Sequence, residues 1–293
     1  MTSITRFASP LVTIEEVVCE GATPERGPEE QAQRPEIVFP RRGVFVRHNA
    51  AGRAVADPNH ILFFNSGQPY QVSHPVAGGD CCLIFALQPA ALLALIRSTD
   101  ASVDDRPDQP FAHDLALAET RQRLRQHHLH QFLRLAPHPE ALQVEEQVLE
   151  LLAEVLGPLS APPIQLGRAQ IDLVEAVTLV LNARFAEKLT LTEVASAVHS
   201  SPFHLSRVFR RVVGLTIHQY LRRLRLLTLL ARLADDPRAE IAPLAVDCGF
   251  DSHSHAASVC QQVFGQPPSV LRRAPAGAWP SALPRQPRNI LKA

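Results

Sequence analysis

The sequence predicts an α+β chain, β-rich in its first half and all-helical in its second. Three observations carry this. Between residue 36 and about 90, short β-like runs alternate with turn signals at roughly ten-residue spacing, the texture of a small sandwich or barrel. From Ala116 onward the apolar residues fall at helical spacing instead. A Pro- and Gly-rich stretch, "GPLSAPPIQLG" (157–167), then precedes a segment in which every periodic run is helical.

Length and composition admit this plan. The 293 residues suffice for one large or two ordinary domains, and an apolar content of 46% excludes a disordered chain. No run of about 18 uncharged apolar residues occurs, so no membrane span is expected. The opening "MTSITRFASPLVTIEEVVCE" lacks a basic stretch followed by a long apolar one; no signal peptide is read, and a cytoplasmic location is expected. The cysteines Cys19, Cys81, Cys82, Cys248 and Cys260 are odd in number and irregular in spacing, which argues against a disulfide framework and for free thiols. Net charge is zero, yet residues 1–164 carry 13 Lys+Arg against 20 Asp+Glu, and the remainder 16 against 9. That split suggests a polyanionic partner for the second half.

Along the chain, 11–19 ("LVTIEEVVC") reads as a strand and 21–35 as a polar loop. "GVFVRH", "HILFFN", "YQVSHP" and "CCLIFAL" follow as strands, punctuated by "NSGQP" and "VAGGD". "ALAETRQRLRQHHLHQFLRL" (116–135) and "EALQVEEQVLELLAEVL" (140–156) read as amphipathic helices. In the second, Leu142, Val148, Leu149, Leu152 and Val155 approximate one stripe. Such a pair could pack on the β domain or on a second copy of it.

The second half is the most informative. Thr190 stands three residues before Glu193, a capping box that opens a brief helix. The helix ends near "VHSS", where His199 tolerates positive φ better than most non-glycine residues. Ser201 then caps a second helix, with Pro202 at its first position. Leu205, Val208, Phe209 and Val212 fall at i, i+3, i+4 and i+7 as its buried stripe, and His204, Ser206, Arg207, Arg210 and Arg211 fall outside it. Two short helices about a tight turn, the second capped and basic, make a helix-turn-helix, whose second helix enters the major groove of DNA.

The pattern returns in "EIAPLAVDCGFDSHSHAASVCQQVFGQPPSVLRR": a short helix with Pro243 near its start, a turn at Gly249, and a second helix from about Ser252. "VFGQPPS" echoes "VVGLTIH", and a helix from about Thr216 to Leu233 bridges the units. A rigid bridge can hold two recognition helices about one DNA turn, roughly 34 Å, apart. Singly, each arginine reads as solvated surface; within two spaced copies of the motif they read as DNA contacts.

"SPFHLSRVFRRVVGLTIHQYLRRLRL", "LAVDCGFDSHSH" and "FGQPPSVLRR" resemble the DNA-binding region of the AraC/XylS family of bacterial transcription regulators. The resemblance covers about residues 168–274. It implies base contacts at Phe203, Ser206 and Arg207, the last suited to a guanine edge, with His204 beside them and Arg210 and Arg211 on phosphates. In the second unit it implies contacts at Ser252, Ser254, His255 and Ser258. There "HAASVCQQ" departs from the family pattern: Ala256 and Cys260 replace core aromatics, Ser258 replaces an arginine, and Gln261 and Gln262 replace basic residues. The first helix is therefore expected to dominate affinity. The small residues are expected to weaken the second unit by about 2–4 kcal/mol unless the site collapses.

"ADPNHILFFNSGQPYQVSHPVAGGDCCLIFAL" resembles, more loosely, the cupin-like domain of many family members, a barrel or jelly roll that binds a small effector or supports dimerisation. The expected division is 1–112 cupin-like sensing domain, 113–158 helical pair with a possible dimer role, 159–167 linker, 168–274 double helix-turn-helix and 275–293 loose tail. The expected partners are double-stranded promoter DNA, an effector of unknown identity, a second copy of the chain and, as a possibility, RNA polymerase, with activation and repression both open. The His-x-His set with a downstream Glu and later His, which metal-dependent cupin enzymes present, does not occur. No enzyme activity, metal or cofactor is therefore expected, nor the Cys-rich zinc site of alkyl-transfer repair regulators. His60 and His74 read as isolated, and the histidines in general as sitting among polar neighbours. Adjacent Cys81 and Cys82 point to opposite strand faces and chelate poorly; they read as buried thiols. The alternative is a thiol or metal sensor built from one of them with His74 or Cys19. Cys248 and Cys260 read as core.

Overall fold

The computed structural model describes residues 1–21, 23–50, 52–157 and 167–272. Its first half opens with β1 (Thr2–Ala8), β2 (Val12–Cys19), the two-residue β3 (Glu30–Gln31), β4 (Glu36–Arg42), β5 (Phe45–Asn49), β6 (Gly52–Ala56), β7 (His60–Phe64), β8 (Pro69–Ser73) and β9 (Asp80–Leu87). α1 (Pro89–Arg97) and β10 (Leu115–Leu117) follow. The strands form an antiparallel six-stranded sheet in the order β1-β2-β9-β4-β7-β10 and a four-stranded sheet in the order β3-β8-β5-β6. This is the cupin-like two-sheet architecture expected.

Strand alternation divides the core. Ile37, Phe39, Ile61, Phe63, Leu83 and Phe85 face the helices, whereas Val38, Leu62, Phe64 and Cys82 face the smaller sheet and meet Phe45 and Ala56. Pro40 sits inside β4, where it cannot donate to the ladder; the register shifts between Pro40 and Arg42, so Arg41 occupies a bulge.

α2 (Thr120–Leu135) and α3 (Ala141–Leu156) complete this half. The helical reading from Ala116 is corrected at its start, since 115–117 pair with β7 as a strand. The α3 stripe is also corrected: Val144, Val148, Leu151, Leu152 and Val155 are buried on the first-half core, whereas Leu142 is 61% exposed. α2 is covered on both sides, by α3 and by helices of the second half.

The second half contains α4 (Arg168–Ala183), α5 (Leu191–Ala197), α6 (Pro202–Val213), α7 (Ile217–Asp235), α8 (Ile241–Asp247), α9 (His253–Phe264) and α10 (Pro268–Leu271). Apart from Gly167, the expected linker 159–167 lies outside the described residues, as does the tail from 275. Among the described residues no helix is long and apolar enough to cross a membrane.

The expectation of histidines in polar surroundings is overturned on α2. His127, His128 and His130 are buried, because this helix is enclosed rather than lying on the surface. Burial pushes His128 down to about 4; burial and the nearby Arg41 charge do the same to His130. Between pH 6.5 and 4 the unfolded chain takes up protons that the folded chain refuses. Stability present above pH 6.5 should therefore fall through this window, by up to about 3 kcal/mol per group. Equilibrium denaturation across that range should show the fall, and His128→Gln should flatten it; an unchanged slope in the variant would refute the assignment.

Candidate nucleic-acid interface

The first helix-turn-helix rests on α4. Val177 and Leu181 of α4, Val194 and Ala195 of α5, Leu205, Phe209 and Val213 of α6, and Tyr220 and Leu221 of α7 share one core. Thr190 and Glu193 make the capping box. The turn passes through His199 at φ 51°, and Ser201 Oγ accepts from the His204 amide at 3.2 Å. Gly214 ends α6 in the left-handed region, and Thr216 with Gln219 caps α7. With its apolar stripe committed inward, α6 leaves Phe203, His204, Ser206, Arg207, Arg210 and Arg211 exposed, Phe203 to 78%. Among the described residues none of these three arginines pairs with an acid. The Arg207 guanidinium lies 5.9 Å from the Phe203 ring centre.

The second unit repeats the geometry with different chemistry. Gly249 turns at φ 82°, and Ser252 Oγ accepts from the His255 amide at 3.1 Å. Ser252, Ser254, His255 and Ser258 are exposed. His255 is tied to Asp251 at 3.2 Å, and Asp251 is also held by Lys188 at 3.0 Å, so an acid stands at the head of α9. Gln262 accepts from Arg222 of α7 at 2.9 Å. Ala256 and Cys260 are fully buried, and the core they join includes Leu124 of α2. Leu124 is the one buried residue of this core that comes from the first half of the chain, among the described residues.

α7 is docked on the first half at both ends. Near its start, Tyr220 Oη donates to the buried carboxylate of Asp57 at 2.8 Å. Asn182 of α4 donates to the same oxygen at 2.8 Å, and the Asn59 amide and His60 Nδ1 lie 2.8 and 3.0 Å from the other. At its end, Asp235 pairs with Arg41 at 2.9 Å and Arg134 at 3.1 Å. Arg41 also pairs with Glu16, which His130 approaches to 3.2 Å. Between these anchors Leu227, Leu230 and Ala231 line a cavity of about 20 Å³ against Arg123 and His127, room for one water. Sequence reasoning missed this docking. Its one local signal was the acid of "ADPNH" between apolar runs; nothing local announces a partner more than 100 residues away.

His60 and His74 are not isolated: His60 belongs to the Asp57 cluster, and His74 contacts Asp80 at 2.7 Å. The Cys81/Cys82 sensor is not favoured. Cys81 is buried beside Glu16 and Arg41, with burial pushing its thiol up to about 12, and Cys82 is raised well above its ordinary value by burial and Asp80. Neither offers the thiolate that such chemistry needs.

Two capped helix-turn-helix units on a shared helical rod define a DNA-binding domain of the double helix-turn-helix class. Residues 194–274 match the helix-turn-helix domain family, and this domain is of the AraC/XylS type. The chain is 28% identical over 102 residues to the bifunctional transcriptional activator/DNA repair enzyme AdaA of Bacillus subtilis (strain 168), covering 35% of this chain and 48% of that one. It thus spans about half the length of AdaA. It is 25% identical over 108 residues to the HTH-type transcriptional activator AarP of Providencia stuartii, covering 37% of this chain and 79% of that one. Among solved structures, ToxT from Vibrio cholerae aligns over 89% of this chain and 98% of its own at 8% identity and a TM-score of 0.36. A cupin superfamily protein from Desulfitobacterium hafniense aligns over 29% and 75% at 17% identity and a TM-score of 0.25.

Truncating Leu124 to Ala should destabilise the protein by about 2–5 kcal/mol. Hydrogen exchange should then quicken in α9 while α6 stays protected; equal loss in both helices would contradict a role for Leu124 in the second unit.

Proposed function

We propose that this protein occupies promoter DNA chiefly through α6, with α9 as a weaker second reader, and that the first half adjusts the pair in response to a small effector. The observation that carries the reading is the contrast between the two helices. α6 exposes three acid-free arginines beside Phe203, whereas α9 has no Lys or Arg and begins next to Asp251. Arg207 suits a guanine O6/N7 edge, with Phe203 and Ser206 beside it; His204, Arg210, Arg211 and the helix N-terminus suit phosphates. In the second unit Ser254 and Ser258 are exposed hydroxyls, Ser252 is exposed but its Oγ already caps the helix, and His255 must leave Asp251 to read a base. AdaA and AarP are both named as transcriptional activators, which supports activation as the direction of control.

The effector arm rests on the docking of α7. A ligand shifts this docking only by binding the docked and undocked arrangements with different affinity. A cleft of about 370 Å³, lined by His48, Arg53, Gln71 and Arg168 among others, lies between the smaller sheet and the start of α4 and is of small-molecule size. Arg53 there also pairs with Glu175 of α4, so a ligand in the cleft would compete with a contact between the halves.

The test is a gel-shift titration on a promoter selected by the full chain. Arg207→Ala should weaken specific binding by about 1–3 kcal/mol, roughly five- to 150-fold, and relax preference at one base pair. Arg210→Ala should weaken selected and unrelated DNA alike. Unchanged binding by Arg207→Ala would remove α6 from the interface.

A further inference from the structure

Cys19 ends β2 and Asp80 begins β9, and the two residues are paired across the strands. Alternation therefore places both side chains on the face of the larger sheet that looks toward the smaller one, with Cys82 and away from Cys81. His74 comes from the other sheet, just beyond β8, its amide donating to the Thr23 carbonyl at 2.7 Å. A sulfur, an imidazole nitrogen and a carboxylate oxygen from three separate stretches thus lie within 4.8 Å of one another.

The backbone is shaped for this meeting. Gly79 turns at φ +64°, and a Cβ there would lie 1.9 Å from the Cys19 carbonyl oxygen. The peptide before Asp80 therefore closes directly on Cys19, and no side chain fits between. Asp80 is oriented from behind: the Cys82 thiol donates to its Oδ2 at 3.2 Å. Oδ1 is left buried, on a side chain 4% exposed, without a hydrogen bond of good geometry, although His74 Nε2 approaches to 2.7 Å as an ion pair. The arrangement is a ligand set with its outer support already in place.

We propose that Cys19, His74 and Asp80 bind one divalent transition-metal ion of borderline softness, with zinc the best match to a sulfur, nitrogen and oxygen donor set. Donors around tetrahedral zinc stand about 3.4–3.6 Å apart, so His74 and Asp80 separate by less than about 1 Å, and Cys19 closes by a little more at most. These are adjustments of side-chain torsion, with the strands unmoved. Three protein ligands leave a fourth position for water or an outside donor. The ion displaces a proton from His74, which Asp80 and Cys19 push up to about 9. Bound metal joins β2, the segment after β8 and β9, and so ties the two sheets together. The site is independent of DNA reading by α6.

The full chain, freed of metal by a chelator and kept reduced, is titrated with Co²⁺. The expected result is one Co²⁺ per chain, a thiolate-to-cobalt charge-transfer band in the near ultraviolet, and bleaching of that band by Zn²⁺. Cys19→Ser should abolish the band, and His74→Gln should weaken uptake at least roughly tenfold. Cys81→Ala, on the opposite face of the strand with the ligands and Cys82 intact, should keep the band. Far-ultraviolet circular dichroism establishes that each variant is folded. Absence of Co²⁺ uptake by the folded parent, or a band that persists in Cys19→Ser, overturns the proposal.

Discussion

A carboxylate sealed from solvent organises this protein. Burial raises the free energy of a charged Asp57 steeply. Hydrogen bonding and charge from His60, then hydrogen bonds from Asn182 and Tyr220, more than offset this and hold the carboxyl below its usual range. Two of these donors, Asn182 and Tyr220, belong to the DNA-binding half. The charge is therefore well solvated by protein only while α4 and the start of α7 sit against the β domain. A loose tether would leave Asp57 with half its donors, so the same residue that stabilises the docked state makes partial undocking unfavourable. The Arg41 bulge acts alike at the far end of α7, where a buried guanidinium is matched by Glu16 from its own domain and Asp235 from the other.

Between these anchors the two helix-turn-helix units have diverged in chemistry while keeping one geometry. In the first, α4 closes the core, Leu117 of the first half packs against it, and every basic group on α6 faces outward. The second borrows Leu124 to complete a core that Ala256 and Cys260 leave small. Both units are thus built into the first half, the first through Asn182 and Tyr220 on Asp57 and the second through Leu124.

Much of this was legible in the sequence because caps, turns and stripes are local. Thr190 with Glu193, His199, Ser201–Pro202 and Gly249 each announce a backbone geometry that needs no distant partner. β4 was harder to read, since Pro40 interrupts its pattern and the compensating bulge depends on β9. The burial of α2 was illegible for a different reason. "RQRLRQHHLHQ" looks like a wet helix, and only tertiary structure shows Arg123 spent on the Pro40 and His60 carbonyls and Arg125 on Glu150. The Asp57 cluster, like that of Cys19, His74 and Asp80, is assembled from side chains whose neighbours in sequence say nothing of one another.

The acid at the head of α9 reaches beyond local geometry. Each phosphate that a protein neutralises releases counterions, and the number released sets how steeply affinity falls as ionic strength rises. On the proposed reading α9 itself carries no cation and the nearby Lys188 is paired with Asp251, so α6 contributes most of that release. On that reading DNA occupancy varies more gently with salt than it would with two basic readers, so that a change in ionic strength perturbs binding less.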